Sequence, residues 1–393
     1  MSTEAPTYLQ IDRVREAFPV LKDIYYLNTG TYGIMPEPAL AEFQTIQAEF
    51  ESRGIGSNGT FGRKTEEARK RIAALIGAVP EEIAFTRNAT DGINLVLAGI
   101  DWKPGDEVIT TNEEHEAMNY PLLYLQNTKG IRVKFLEVSP KADVMLDRLE
   151  KSLSEKTRLV AMSMVSCETG TRLPAQAISK WAADQGLLCL FDGAQVSGAL
   201  PINMREIGCD YYASNGHKWL SGPKGTGFFY GKQEKLGLLT PAHVGAGSLQ
   251  KFDLKTGTAE PFNTGQRFEF GTRAWALTAG LCSSLDWFEG LGWKNVYGHI
   301  AALSDYLKEK IISRPYLQML TPIPFEESSG LTTFIFKDHT AGDIGKELRE
   351  NWKMPVRIIP HFNGIRISTA HFNNQDDIDC LMKALDEFYT REK

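Results

Sequence analysis

The stretch FDGAQVSGALPINMREIGCDYYASNGHKWLSGPKGTGFFYG, residues 191–231, decides how this chain reads. It starts as the apolar run LLCLF (187–191) closes, and Asp192 follows at once. A second short run, DYYAS (210–214), leads to Lys218, and a glycine-rich turn, GPKGTG, enters a third, GTGFFYG (225–231). Short apolar runs bounded by turn residues are strand candidates. In an open α/β sheet, ligands bind beyond the carboxyl ends of the strands, so an acid and a lysine just past two of them are candidate site residues.

Working outward, the chain from about residue 60 to 230 alternates helical periodicity with short β-branched or apolar runs. That alternation is the signature of βαβ units around a mostly parallel sheet. TFGRKTEEARKRIAALIGA (60–78) suits an amphipathic helix, and EEIAFTRNATDGINLVLAGI reads as a strand, a turn and a helix starting near Ala89. Further strands are expected at 107–111, 132–138 and 158–165, with helices in AMNYPLLYLQN, DRLEKSLSEK and PAQAISKWAADQG between most of the strands. Beyond about 274 the rhythm changes. Two long helical patterns (274–291 and 295–314) precede strands TTFIF, VRIIP and IRIST and a last helix from Gln375. The expected fold class is α/β, with a large unit over 21–273 built on a mostly parallel central sheet. A smaller α+β unit is expected over 274–393, taking in the opening segment 1–20.

The 393 residues suit two to three domains at about 150 residues each. Apolar residues at 42% and charged ones at 23% are those of a folded globular chain. Forty-three basic against forty-nine acidic side chains give a net charge of −6 with no basic block, which argues against nucleic acid. No apolar run approaches the roughly 20 residues that span a bilayer, and MSTEAPTYLQ lacks the basic and apolar regions of a secretory signal. A cytoplasmic, membrane-free protein is expected. The five cysteines (Cys167, Cys189, Cys209, Cys282, Cys380) form no C-x-x-C pair, so no metal site is expected and each reads as a small buried hydrophobe.

Several reactive residues fall just past strand candidates. TRNAT (86–90) sits where a strand gives way to a helix start, whose free amides can hold a phosphate. His115 follows EVITT, Asp192 follows LLCLF, and Lys218 follows DYYAS. Singly, each has a bland alternative: an acid past a strand is usually a cap or turn residue, and a lysine is usually solvated. GPKGTG is no Walker loop and no G-x-G-x-x-G follows a strand, so P-loop and Rossmann readings are disfavoured.

The combination is more specific than its parts. An apolar strand ending in D-x-A-Q, with a lysine 26 residues later in S-x-G-H-K-W, resembles the pyridoxal-phosphate (PLP) enzymes of the aminotransferase class V family, fold type I. YLNTGTYGIMP, RNATDGINLV, EEHEAMNY, RFEFGT and GIRISTAHFNNQDDID extend the resemblance over essentially the whole chain. It implies that Lys218 links to the cofactor aldehyde and later serves as base for the substrate's Cα proton. It implies that Asp192 pairs with the ring nitrogen, that His115 stacks on the ring and that Gln195 bonds the phenolic oxygen. The phosphate would lie at Ala89 and Thr90 beside His217, with Asn215 in the polar shell. Thr272 matches a residue that the family supplies from a neighbouring subunit, which implies a homodimer with shared sites. Arg366 matches a clamp for the substrate carboxylate, with Arg357, Tyr32 and His361 as further candidate contacts. Whether the two arginines converge is not derivable, because a turn separates them.

The family spans cysteine desulfurases, cysteine or cystine C–S lyases, isopenicillin N epimerase-like enzymes and aminotransferases. A desulfurase needs a nucleophilic cysteine shortly before the carboxylate arginine, and none occurs between Cys282 and Cys380. The arginine pair with His115 and Gln195 is most similar to the C–S lyases. Two departures bear on the polar shell: Glu168 in SCETG stands where many members carry Asn, and Asn215 stands where Ser or Thr is usual. An acid at 168 could select a substrate's ammonium. The leading expectation is β-elimination from cysteine, cystine or a cysteine conjugate to pyruvate, ammonia and a thiol or persulfide. Epimerisation, desulfuration and transamination are the alternatives.

Overall fold

The computed structural model describes residues 9–391. The expectations for residues 1–8 and 392–393 lie outside the described residues. Seven strands, β1 (Ile83–Thr86), β2 (Glu107–Thr111), β3 (Arg132–Leu136), β4 (Thr157–Ser163), β5 (Leu188–Asp192), β6 (Tyr211–Asn215) and β7 (Gly227–Gly231), form one sheet in the order β1-β7-β6-β5-β4-β2-β3. β3, β2, β4, β5 and β6 pair in parallel, while β7 runs antiparallel to both β6 and β1. Parallel neighbours need crossover connections, and the helices Glu116–Lys129, Ala142–Ser152 and Ala175–Asp184 supply them between β2 and β5. The mostly parallel sheet expected from the alternating pattern is therefore present.

Both faces of this sheet are covered, which is why its central strands read as unbroken apolar runs. Adjacent side chains point to opposite faces. Phe191, Tyr212 and Phe228 join the core containing Ile72 and Phe288, whereas Leu190, Tyr211 and Phe229 join the one containing Ile93 and Leu122. Because β1 and β6 both oppose β7, the chain ends β1, β2, β4, β5 and β6 at one edge. Thr86, Thr111, Ser163, Asp192 and Asn215 gather there.

A hairpin, β8 (Leu249–Asp253) and β9 (Thr258–Pro261), follows, then a four-stranded antiparallel sheet. Its strands β10 (Leu317–Met319), β11 (Leu331–Phe336), β12 (Arg357–Ile359) and β13 (Gly364–Ser368) lie in the order β10-β11-β13-β12. Helices Trp293–Ile312, Ala341–Trp352 and Gln375–Arg391 share its core through Leu307, Ile344 and Leu385. Arg15 bonds Asp377 at 2.8 Å and so ties the opening helix Ile11–Glu16 to the last one. Among the described residues no helix is long and apolar enough to cross a membrane.

The sequence reading had no element for Glu37–Arg53, the hairpin, β10 or Ala341–Trp352. The last carries a readable start signal: Thr340 caps it by accepting from the Asp343 amide at 3.1 Å. Helix Trp275–Leu291, expected to open the small unit, packs on Glu37–Arg53 and Asn58–Leu75 and puts Leu285 and Phe288 in the large sheet's core.

One buried pair fixes the RFEFGT turn. Glu269 accepts from Arg69 at 2.9 and 3.1 Å and from the Phe85 amide at 2.7 Å, with both side chains nearly excluded from water. Removing Glu269 leaves the buried Arg69 with only the exposed Glu66 carboxylate and the Ile83 carbonyl, and the Phe85 amide with no acceptor. Glu269→Ala should therefore lower the unfolding free energy by about 3–5 kcal/mol in urea denaturation. A loss below about 1 kcal/mol, the scale of a surface pair, would show that Glu66 or water compensates Arg69.

Candidate active site

The gathered strand ends and the small sheet enclose a cavity of about 520 Å³. Asp192 ends β5 and is 4% exposed, with Oδ1 accepting from the Ala194 amide at 2.8 Å. The turn that holds it can only be glycine at 193: a Cβ there would lie 1.9 Å from the Tyr212 ring. Burial pushes the Asp192 acid up, and the charge of Lys218 works against that. Lys218, on the loop between β6 and β7, is held below the usual lysine range chiefly by burial, with Asp192 opposing. The N-terminal TGTYG loop leans on this lysine's backbone. A Cβ on Gly33 would come within 1.9 Å of the Lys218 carbonyl oxygen.

His115 caps the helix Glu116–Lys129, and its Nδ1 accepts from the Ala117 amide at 3.0 Å. The proton of the neutral ring is thereby assigned to Nε2, and burial, then the Lys218 charge, keep the ring neutral by lowering its pKa. Gln195 is oriented by Trp219, whose donor-only Nε1–H reaches Oε1 at 2.9 Å. Its Nε2 donates to the Gly30 carbonyl at 2.9 Å, which leaves a second N–H for a ligand. Thr90 and Ala89 line the cavity at the start of the helix Ala89–Gly99. The Ala89 amide already donates to Asn215 Oδ1 at 3.0 Å, so Asn215 serves that helix start directly.

The small sheet contributes the arginines. Arg357 and Arg366 are register partners on β12 and β13, so their side chains share a face, and both line the cavity. The convergence that the intervening turn concealed is thus present. Arg366 is 4% exposed; it donates to the Cys167 carbonyl at 2.5 Å and to Thr31 Oγ1 at 3.2 Å, while its Nε has no partner. Burial lowers its pKa to about 10. Tyr32, half exposed, and Glu168 also line the cavity, and His361 Nδ1 lies 3.0 Å from the Glu168 carboxylate.

Two expected contacts are not brought to this surface. His217 turns its Nδ1 to the Thr226 carbonyl at 2.8 Å, in the packing beside the cavity and outside its lining. Thr272 lies in an exposed turn away from its own chain's cavity. Conversely, Glu114 and Cys167 line it unforeseen. Cys167 corrects the reading of every cysteine as a mere core residue, although burial does push its thiol up to about 12. The strand-end criterion points to both loops, since Cys167 follows β4 and Glu114 follows β2, but it does not choose among neighbouring residues of a loop.

These residues fit pyridoxal phosphate: a buried acid for the ring nitrogen, a buried lysine for the aldehyde, an amide with a spare N–H, and helix-start residues for the phosphate. The family model of aminotransferase class V matches residues 24–381. The chain belongs to that family. The cysteine desulfurase of Cronobacter sakazakii is 30% identical over 95% of this chain and 97% of its own. The probable cysteine desulfurase of Methanothermobacter thermautotrophicus is 29% identical over 97% and 98%. Among solved structures, the complex of the cystine C–S lyase C-DES with its reaction product cysteine persulfide has a TM-score of 0.86 at 28% identity, covering 94% of this chain and 98% of that one. A C-DES mutant with glycine covalently linked to the PLP cofactor gives 0.87 at 28% identity, with the same coverage. The expectations of fold type I and of a PLP-dependent enzyme of this family are borne out.

Asp192 and Lys218 can be tested as an electrostatic pair. Asp192→Asn removes the charge that opposes burial, so Lys218 should become more acidic still. In cofactor-free protein at fixed neutral pH it should then react faster with a small amine-directed reagent. An unchanged or slower rate would place the two groups beyond each other's influence.

Proposed function

We propose that the protein is a C–S lyase that carries out β-elimination on cystine, cysteine or a cysteine conjugate, releasing pyruvate, ammonia and a thiol or persulfide. The observation that carries this reading is the pair Arg357 and Arg366, side by side on the cavity wall that faces Lys218 and Asp192. One guanidinium suffices for an α-carboxylate. A second, more exposed one at the same wall suits a substrate with a distal carboxylate, as a disulfide-linked amino acid has. Glu168 beside it can take the matching ammonium.

Pyridoxal phosphate, when bound, supplies the electron sink for bond cleavage at Cα. Lys218, its pKa lowered by burial, takes the Cα proton at Nζ. Asp192 would hold the ring nitrogen's proton, His115 would offer a neutral face for stacking, and Gln195 would donate its spare N–H. The C–S bond breaks with its electron pair leaving on sulfur, so no protein thiol is needed. Thr90 and Ala89, at the start of the helix Ala89–Gly99, would hold the phosphate, with His217 packed behind them on the Thr226 carbonyl.

We further infer a homodimer that shares its sites. Leu254 is 94% exposed and Phe252 69% exposed on the β8–β9 hairpin, and Val244 and Phe270 lie exposed near Thr272. Apolar side chains this bare mark a surface meant to be covered. Covered by a second copy, Thr272 can serve the partner's cavity. All five cysteines are unpaired, which agrees with a reducing, cytoplasmic setting. We take residues 21–273 as the large unit and 274–393 with 1–20 as the small one, with helix Trp275–Leu291 shared by packing.

Desulfuration is the second reading, favoured by Cys167 in the cavity wall and by the relatives' names. A thiol pushed up to about 12 is almost wholly protonated at neutral pH and a poor sulfur acceptor, which sets elimination first. Pyruvate from L-cystine, retained in Cys167→Ser, is the expected result. Alanine from L-cysteine, abolished in Cys167→Ser, would establish the desulfurase instead, and Cα deuteration in D₂O without pyruvate would establish an epimerase. Arg357→Ala should raise KM for cystine about 10-fold or more while leaving that for cysteine near the parent's. Equal changes for both would remove the distal-carboxylate role.

A further inference from the structure

Glu114 is 4% exposed in the wall of the cavity, immediately before His115. Three donors converge on its carboxyl group. Thr111, the last residue of β2, donates its hydroxyl to Oε1 at 2.6 Å. Ser163, the last residue of β4, donates its hydroxyl to Oε2 at 2.6 Å and its amide to both oxygens at 2.9 and 3.0 Å. β2 and β4 are neighbours in the sheet, so a single carboxyl group clamps their two ends. Its backbone carbonyl accepts from Asn119 Nδ2 at 2.8 Å, which fastens it to the helix that His115 caps. The loop that presents the imidazole is therefore fixed at both ends through this one residue.

The hydrogen bonds also allow the group to carry charge. The Ser163 amide cannot reverse and demands an acceptor, while the two hydroxyls can donate or accept. The ionised acid satisfies all three donors, and the neutral acid is tolerated when one hydroxyl turns round. Asp192 from β5 and Cys167 from the loop after β4 are its charged and titratable neighbours, and Lys218 from the β6–β7 loop and His115 from its own loop line the same cavity. Two buried carboxyl groups in one wall disfavour each other's ionisation unless a cation lies between them. With Lys218 committed to the aldehyde, the protonated cofactor ring would be the cation available to this wall.

We propose that Glu114 is a positioning residue for His115 and the second carboxylate that sets the negative potential over the cofactor ring, acting beside Asp192 without touching the ring. Burial, with the Asp192 charge adding to it, raises Glu114 to about 7, so its ionisation is in play at neutral pH. The proposal rests on the cofactor's place in this cavity and is independent of whether the reaction is elimination.

The test is a pH titration of the visible absorption band of the holoenzyme, with cofactor affinity measured in parallel. Glu114→Gln keeps the size and loses the charge. The cationic form is then less favoured, and the midpoint should fall by about one pH unit, a tenfold loss in proton affinity. Glu114→Asp keeps the charge but shortens the reach to Ser163: its midpoint should stay near the parent's while cofactor Kd rises about tenfold. A purely structural role would weaken cofactor binding in both variants and leave both midpoints unmoved, which would overturn the proposal. Should Glu114→Gln not fold, Thr111→Val removes one donor, makes the acid harder to ionise and should shift the midpoint the same way by less. No shift there overturns it equally. A parent band that is missing, or that survives Lys218→Ala, would instead refute the cofactor's placement; a normal parent band with unmoved variants refutes the role of Glu114 alone.

Discussion

The site depends on keeping ionisable groups dry at the ends of the strands. Asp192, Lys218, Glu114 and Arg366 each pay desolvation, and the direction of every shift follows: the acids rise and the cations fall. Isolated buried charges cost several kcal/mol each, so the surrounding structure must hold them rigidly enough that water cannot follow. Three close contacts do this. The turn at Gly193 closes on the Tyr212 ring, the Gly33 loop closes on the Lys218 backbone, and Trp219 locks the Gln195 amide. The lysine is thereby made less basic by its surroundings rather than by a strong ionic partner.

The parallel sheet was legible because its connections demand helices, and because burial on both faces leaves continuous apolar runs such as LLCLF. The interval between Asp192 and Lys218 was legible only through the family resemblance, and the structure supplies its reason: β5 and β6 are adjacent, so residues past their ends are neighbours in space. What escaped was decided by side-chain aim. Of the adjacent acids Glu113 and Glu114, only hydrogen bonding to Thr111 and Ser163 sends the second to the cavity, while the first bonds Ser166 and Thr169. His217 sits next to the lysine in the chain, yet the Thr226 carbonyl draws its ring away. The hairpin β8–β9 is exposed on both sides and so has no apolar alternation to read.

The arginine pair shows how register settles what spacing leaves open. Nine residues separate Arg357 and Arg366, an odd number that would put them on opposite faces of one continuous strand. The chain instead reverses through Pro360–Phe362 and Asn363, whose φ of +51° completes the turn, and the two become direct cross-strand partners. Like charges placed opposite each other on a sheet destabilise it, so the pairing is a local cost. It persists because β13 is held on its other side by β11 and because Arg366 is anchored to the Cys167 carbonyl and Thr31.

That anchoring links the two sheets. The loop after β4 meets the small sheet through Arg366 on Cys167, Thr333 on the Glu168 carbonyl and His361 on the Glu168 carboxylate. The one unsatisfied donor in this set is the buried Arg366 Nε. An unmade charged hydrogen bond in a dry site is costly, and the bonds to the Cys167 carbonyl and Thr31 hold the guanidinium in place despite it. In the proposed reading, substrate binding and the fit of the small sheet against the large one draw on the same group. In that reading, a ligand without a carboxylate would forgo the guanidinium that also joins the two sheets, so preference for carboxylate-bearing substrates would follow from how the two halves are joined.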